Sequence, residues 1–368
     1  MKRWQEMDKW SFLATLLLSY IGVALIWSAT RSHEGSLLWI KQVIWTVIGS
    51  VFYLVMAHID YKRLVSNANI LYFLGILSLI AVYMFGDRIN GAKSWFRLPF
   101  MSIQPSEIVK IFTVIIVAKY FSKYKEGHSS LKEFLVSTFL VVLPMGLIII
   151  QPDLGTAIFY LPLFLIPNYL IGNRESIYVA LGGGLMIGLL LLTVTYKPDW
   201  VFFLKGYQKD RIVAFLNPDQ DTTNTGYQVH QSKISIGQGG LFGLGFGEGK
   251  QTKLGFLPAQ YNDFILAVAA EELGFTGMLA IFGLYLFVFI RAFGIALEAG
   301  EPMGACLVIL VVGTLVMQTL FNAAMLVGLV PTTGIPCPLI SSGGSSYLAT
   351  MGLLGLIQSV RAHRYLDY

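Results

Sequence analysis

The chain has 368 residues, 55% hydrophobic and only 13% charged, with a formal net charge of +5 and a mean hydropathy of +0.66. Soluble domains carry about 25% charge, so the composition excludes a soluble enzyme and fits a bundle of membrane helices. The positive excess forms no basic run interleaved with aromatics, which excludes a nucleic-acid partner.

Apolar runs of about 17–25 residues read as membrane helices. Ten occur, at approximately 11–30, 38–57, 70–86, 105–121, 134–150, 153–171, 176–196, 263–292, 303–329 and 344–361. The first is too long for a signal-peptide core and no small-residue cleavage motif follows it, so it is expected to remain as a transmembrane helix. Lys2, Arg3, Lys9, Lys62, Arg63, Lys119, Lys123, Lys125, Lys132, Arg174, Arg291, Arg361 and Arg364 fall at one set of ends and short loops. The opposite short loops hold fewer: Arg31, Lys41, Arg88, Lys93 and Arg97. The positive-inside rule then predicts that both termini are cytoplasmic.

The expected fold is thus an all-α polytopic membrane protein of ten transmembrane helices. It forms one integral domain over residues 1–368, with a large extracytoplasmic loop at 197–262 between helices 7 and 8. Loops of that length are functional or disordered as a rule. Ile234, Ile236, Leu241, Phe242 and Phe246 predict that this one packs, as short helices at the membrane interface. The loops at 87–104, with Lys93 and Arg97, and at 330–343 face the same side. Glycines in the seventh span (Gly184, Gly188) and the tenth (Gly344, Gly352, Gly355) suit close helix packing.

Polar groups near the membrane interior are costly and are therefore functional candidates. Glu107 and Lys110 lie three residues apart, on one helix face. They either neutralise each other as a structural ion pair or fix a cation or a pyrophosphate. Asp153, in Gln151-Pro-Asp-Leu-Gly-Thr156, reads as a helix cap or a turn residue. Gln318 and Asn322 share a face and should hydrogen-bond between helices. Asp263 stands at the junction of the long polar loop and an apolar run, where a carboxylate would sit at the membrane–water boundary. Glu271, eight residues on, is expected about 80° around the helix and about 12 Å deeper, too far for a carboxylate dyad. Glu271 and Glu272 are expected to be interior pairing residues or part of the inner end.

Several strings carry no chemistry. Gly243-Leu-Gly-Phe-Gly-Glu-Gly-Lys250 lacks the glycine spacing and the Ser or Thr of a phosphate loop. Asp219-Gln-Asp221 reads as a solvated turn. Cys306 and Cys337 form no CxxC pair, and the five histidines lack ligand spacing.

Six strings, in order along nearly the whole chain, resemble the shape, elongation, division and sporulation family of membrane proteins. They are Ile103-Gln-Pro-Ser-Glu-Ile-Val-Lys110, Gln151-Pro-Asp-Leu-Gly-Thr156, Gln231-Ser-Lys-Ile-Ser-Ile-Gly-Gln-Gly-Gly-Leu-Phe-Gly-Leu-Gly245, Phe256-Leu-Pro258 with Asp263-Phe-Ile, Glu271-Glu-Leu-Gly274, and Gly334-Ile-Pro-Cys-Pro-Leu-Ile-Ser-Ser-Gly-Gly344. The start of the third string looks more like the elongation member than the division member.

The resemblance implies a peptidoglycan glycosyltransferase in the cytoplasmic membrane. It would polymerise lipid II at the outer face during cell elongation and the maintenance of rod shape. The implied partners are a class B penicillin-binding protein as transpeptidase, other elongation-complex membrane proteins, and polyprenyl lipids. The family's essential aspartate maps onto Asp263, its ion pair onto Glu107 and Lys110, and its junction aspartate onto Asp153. Lys93, Arg97, Lys233, Ser342 and Gly343 stand as supporting or substrate-binding candidates. Family members often read His-Thr before the aspartate, where this chain has Tyr261-Asn262, and often carry a basic residue where it has Ser94.

A β-1,4 product from an α-linked donor requires inversion, so one base suffices and no covalent nucleophile is needed. Asp263 is the expected base. Lys110, Arg97 or a divalent cation (Mg or Mn) would neutralise the departing pyrophosphate, with no organic cofactor. A lipid II flippase and a non-catalytic scaffold that activates a penicillin-binding protein are the alternatives.

Overall fold

The computed structural model describes residues 6–31, 37–89, 92–97, 102–122, 131–170, 211–212, 215–216, 225–257 and 260–364. Helix α1 (Lys9–Thr30) begins where Asp8 accepts the backbone N–H groups of Trp10 and Ser11, satisfying amides that have no partner in the first helical turn. Next come α2 (Leu38–His58), the short α3 (Tyr61–Ser66) capped by Asp60, and α4 (Ala68–Phe85). Helix α5 (Pro105–Phe121) starts on a proline, whose missing N–H costs nothing at that position. Then follow α6 (Leu131–Ile150), α7 (Leu154–Ile158), α8 (Leu161–Leu170), α9 (Thr225–Gly239) and α10 (Lys250–Leu254). The last three are α11 (Ile265–Leu297), α12 (Pro302–Leu326) and α13 (Gly344–Ala362).

Five of these, α1, α2, α4, α11 and α12, are long and apolar enough to cross a membrane. Shorter apolar helices cover Leu135–Ile150 and Leu154–Tyr169. The expected span at 153–171 is interrupted, because α7 stops at Ile158 and α8 resumes at Leu161. The expected span at 176–196, with Gly184 and Gly188, lies outside the described residues, as does most of 197–224.

The all-α expectation is corrected at one place. The connection between α4 and α5 folds into a three-stranded antiparallel sheet of order β1-β2-β3, with β1 at Asp87–Ile89, β2 at Ala92–Arg97 and β3 at Ser102–Ile103. A polar connection folded against helices must pair its peptide groups, and a small sheet does so locally.

Glycines let α13 lie close against α2. A Cβ on Gly355 would stand 2.5 Å from the carbonyl oxygen of Tyr53, and one on Gly49 would stand 2.5 Å from the Tyr347 ring. The expected role of the tenth-span glycines in packing holds at Gly344, Gly352 and Gly355, where a side chain would meet Trp45, Phe52 and Tyr53.

Helix α11 is two limbs. Gly274 has φ 66° and ψ −167°, so the helix breaks there. Only glycine adopts such backbone angles without strain. The second limb runs antiparallel to α1, tied to it near both ends. Glu272, at the end of the first limb just before the break, accepts a hydrogen bond from Ser28 near the end of α1. Arg291, near the bottom of the second limb, donates to Asp8 at 2.6 Å.

Candidate active site

The first limb carries Asp263 into a recess. Ser341 Oγ donates to the Asn262 carbonyl at 2.7 Å, and Ser342 N–H donates to the Tyr261 carbonyl at 3.1 Å. The neighbouring Ile340 carbonyl packs on Gly22, 2.6 Å from where a Cβ would stand. Gly22 is six residues before Ser28, hence about 9 Å below it along α1. Gln260, by contrast, reaches the Ala29 carbonyl at 2.6 Å. The chain therefore dips from Gln260 to Asp263 and climbs again through the limb to Glu272.

This inverts the expected depths of the carboxylates. Glu271 and Glu272 are rim residues, not inner-end residues, because the break at Gly274 makes the first limb run outward. Glu271 is fully buried. It accepts from Gln251 N–H at 2.7 Å, Thr252 N–H at 3.2 Å and Thr252 Oγ1 at 2.8 Å. It caps α10 through charge-assisted bonds.

The glycine string with no phosphate-loop spacing has a structural task at the same rim. Leu244 and Gly245 N–H donate to the carbonyls of Glu271 and Glu272 at 3.0 Å each. Phe275 and Thr276 N–H donate to the carbonyls of Gly240 and Leu241 at 2.9 and 3.0 Å. The loop thus supplies partners to the last carbonyls of one limb and the first amides of the next, groups that a broken helix leaves unpaired. Gly243 and Gly274 touch backbone to backbone: a Cβ on Gly274 would be 2.2 Å from the Gly243 nitrogen.

At the bottom of the recess, Asn322 of α12 donates to the Asp263 carbonyl at 3.0 Å and to the Ile335 carbonyl at 2.6 Å. Gln318, one turn earlier, donates to the Pro336 carbonyl at 3.2 Å. The pair was expected to bridge helices; it holds two loops together instead. Among the described residues, Asp263 Oδ1 is buried without a hydrogen-bond partner. Burial raises the Asp263 carboxyl to about 6, and the charge of Arg211 opposes that rise. A Cβ on Gly334 would lie 3.5 Å from Asp263 Oδ2 and 3.9 Å from both Arg211 Nη1 and Nη2. Arg211 was missed in the sequence, since nothing in its spacing marks it among the charges of the long loop.

The other candidates fall into separate groups. Lys110 Nζ lies 2.7 Å from Glu107 Oε2 with both side chains buried, and 5.9 Å from the centre of the Phe159 ring. Of the two readings for this pair, the geometry matches mutual neutralisation. Asp153 caps α7, accepting from Thr156 N–H at 3.1 Å, Thr156 Oγ1 at 2.9 Å and Gln104 Nε2 at 2.6 Å. Burial raises its carboxyl and the bonds from Thr156 and Gln104 oppose this. The Asp153 turn reaches the Asp263 recess through Gly155, where a Cβ would be 2.7 Å from the Thr333 carbonyl.

Ser342 backs the Asp263 turn, and Gly343 precedes α13. Lys233 lies beside Gly328, its Nζ 3.0 Å from a Cβ there. Lys93, on β2, donates to the Met84 carbonyl at 2.7 Å, and Arg97 N–H donates to Asp87 at 3.3 Å. Neither Lys93, Arg97 nor Lys233 is brought against Asp263.

Among the described residues no three His, Cys, Asp or Glu side chains are grouped to hold a metal ion. Asp263 offers one carboxylate opposite a guanidinium, a donor set that does not fit a resident divalent cation.

Comparison with known proteins gives the arrangement a context. Residues 8–366 match the family of cell cycle proteins FtsW, RodA and SpoVE. The chain is 32% identical to the peptidoglycan glycosyltransferase RodA of Treponema pallidum, over 98% of both chains. It is 34% identical to the peptidoglycan glycosyltransferase MrdB of Escherichia coli K12, over 98% of this chain and 94% of that one. Among solved structures it superposes with a TM-score of 0.81 and 27% identity on a chain of a peptidoglycan synthase complex that coordinates polymerization and crosslinking, covering 98% of this chain and 99% of that one.

Proposed function

Because the chain belongs to the FtsW, RodA and SpoVE family and is a multi-pass peptidoglycan glycosyltransferase, we propose that it polymerises lipid II with Asp263 as general base. The observation that carries this reading is the buried Oδ1 of Asp263 in the recess, which has no hydrogen-bond partner among the described residues. A base held near pH 6 by burial is matched to proton transfer near neutrality.

In the reaction, the 4-hydroxyl oxygen of the acceptor GlcNAc attacks the anomeric carbon of the donor. Asp263 takes the hydroxyl proton as the new C–O bond forms. The bond to the polyprenyl pyrophosphate breaks, and the leaving group departs with its electron pair. Inversion at that carbon gives the β-linkage in one displacement. Positioned general-base catalysis contributes about 10²–10⁴-fold. Arg211, beside the carboxylate, is the cation best placed for the developing pyrophosphate charge, in place of Lys110 and Arg97. A guanidinium matches phosphate geometry in a bidentate way. A divalent ion, Mg or Mn, would arrive on the pyrophosphate.

The finer topology belongs to the same reading. Ten spans with cytoplasmic termini would place the recess at the outer face of the cytoplasmic membrane, where lipid II presents its sugars. A class B penicillin-binding protein would crosslink the strands, together with other elongation-complex proteins, during growth as a rod. The likeness to a chain of a synthase complex supports the partner.

The test is polymerisation of lipid II by the purified protein with its transpeptidase. Asp263→Asn should abolish glycan strands while the complex still forms. Normal polymerisation by that variant would refute the base, and scrambling of fluorescent lipid II without polymerisation would favour the flippase.

A further inference from the structure

The end of the bundle opposite the Asp263 recess carries a cavity that the glycosyl-transfer chemistry does not use. It has a volume of about 590 Å³ and is lined by Val51, Leu54, Val55, His58, Ile59, Asp60 and Arg63. It lies where α2 ends and α3 begins, on the side of the bundle that holds Asp8. The Tyr61 N–H bonds Ser359 near the end of α13, which ties this corner to the same end.

Two surfaces meet in the cavity. The first is apolar and faces outward. Ile44, Val47, Ile48, Val51 and Val55 are all exposed and recur at helical spacing along one face of α2. Such a stripe on a membrane helix faces acyl chains, and it runs directly into the cavity. The second surface is polar and cationic. Arg63 is exposed and makes no ion pair among the described residues. His58 Nδ1 is 2.7 Å from the Leu54 carbonyl. Asp60 is the acid of the cavity, and its Oδ1 is committed to Lys62 N–H at 2.9 Å as the cap of α3. The neighbouring Lys62 is held by Glu301 at 2.8 Å. The guanidinium is therefore the exposed cation on the cavity wall, while the Asp60 carboxylate keeps its charge but holds the α3 amide that it caps.

We infer that this cavity binds one anionic phospholipid, with its phosphate on Arg63 beside His58 and an acyl chain along Val55, Val51 and Val47. A guanidinium at the end of a lipid-facing stripe matches the order of groups in such a lipid, headgroup at the boundary and chain in the bilayer. Basic pockets at helix ends recognise anionic headgroups on this principle, each cation near the surface adding about 1 kcal/mol. A partner's transmembrane helix would cover the stripe but gives no reason for a guanidinium at its foot.

The experiment uses the full-length protein in nanodiscs and in detergent. Native mass spectrometry would count retained lipid, and thermal melting would follow titration with phosphatidylglycerol, phosphatidylcholine or sodium phosphate. Phosphatidylglycerol should be retained and should raise Tm, whereas phosphatidylcholine should bind about five- to tenfold more weakly. Sodium phosphate should have no effect, because the chain contact is missing. Arg63→Glu should remove the preference for phosphatidylglycerol, and Val55→Trp should displace both lipids by filling the groove. Melting without added lipid would check that both variants fold. Equal retention of the two lipids by the wild type, or undiminished phosphatidylglycerol binding in Arg63→Glu, would overturn the inference. Crosslinking of Val51 to a transpeptidase helix in place of lipid would also overturn it.

Discussion

Asp263 and Arg211 meet beside Gly334, a residue with φ 74°: Oδ2 stands 3.5 Å, and both terminal guanidinium nitrogens 3.9 Å, from the place of its absent Cβ, so a side chain there would touch both charged groups. Gly334→Ala would insert a methyl group at that point and strain a left-handed backbone by about 1 kcal/mol. The expected outcome is at least a tenfold loss of polymerisation with a modest fall in Tm. Parallel activity and melting measurements separate the two effects.

Arg211 also sets where the site titrates. Burial lifts Asp263 to about 6, and Arg211 opposes it. A base must be ionised, so kcat/KM should rise with pH through about 6. Arg211→Ala removes the opposing charge, so that limb should move to higher pH as the maximal rate falls about 10²-fold. Arg211→Lys should restore part of the rate. A pH–rate profile that stays in place in the alanine variant would deny the electrostatic link.

The same carboxyl should cost stability at neutral pH. Its folded pKa lies above the unfolded value of about 3.9, so the folded chain holds the proton more tightly. Stability then falls as pH rises from about 4 through about 6. Asp263→Asn should therefore stabilise the protein at pH 7 by about 2–3 kcal/mol, with the gain vanishing below about pH 4. Melting temperatures of the two proteins across that range provide the check.

Glu107 and Lys110 test the difference between a pair and a binding site. Lys110→Met leaves a buried carboxylate alone and should cost about 3–5 kcal/mol. The double variant Glu107→Gln/Lys110→Met should recover most of the stability. If activity recovers with it, the pair is structural. If the stable double variant stays inactive, Lys110 contacts the substrate.

Much of this was legible along the chain. The helices at 9–30, 38–58, 105–121 and 344–362 lie close to the apolar runs that announced them, because hydropathy and length decide such segments. Asp263 stood out as a carboxylate where one is costly. The reversal at Gly274 did not, because Glu271-Glu-Leu-Gly-Phe275 sits within one continuous apolar pattern, and a change of direction leaves the pattern unaltered. Arg211 was hidden for another reason. Its partner lies 52 residues further on, and only the folding of the loop brings the two charges together. The strands at 87–103 escaped because short, mixed segments have little period to read.

The broken α11 has a consequence for how the protein enters its membrane. A translocon that weighs hydrophobicity meets one 33-residue apolar stretch, Ile265–Leu297, although about 20 residues suffice to cross a bilayer. The glycine at 274 and the peptide clamp from 240–245 would then decide which stretch becomes the crossing helix and which is tucked back from one face. The clamp leaves the ribosome before the limbs it holds, so it can act as a template waiting for them. Gly243→Val should then do more than loosen a loop. It should shift part of the nascent chains to a register in which the aspartate's limb is threaded as part of the span, giving a stably inserted protein of the wrong topology.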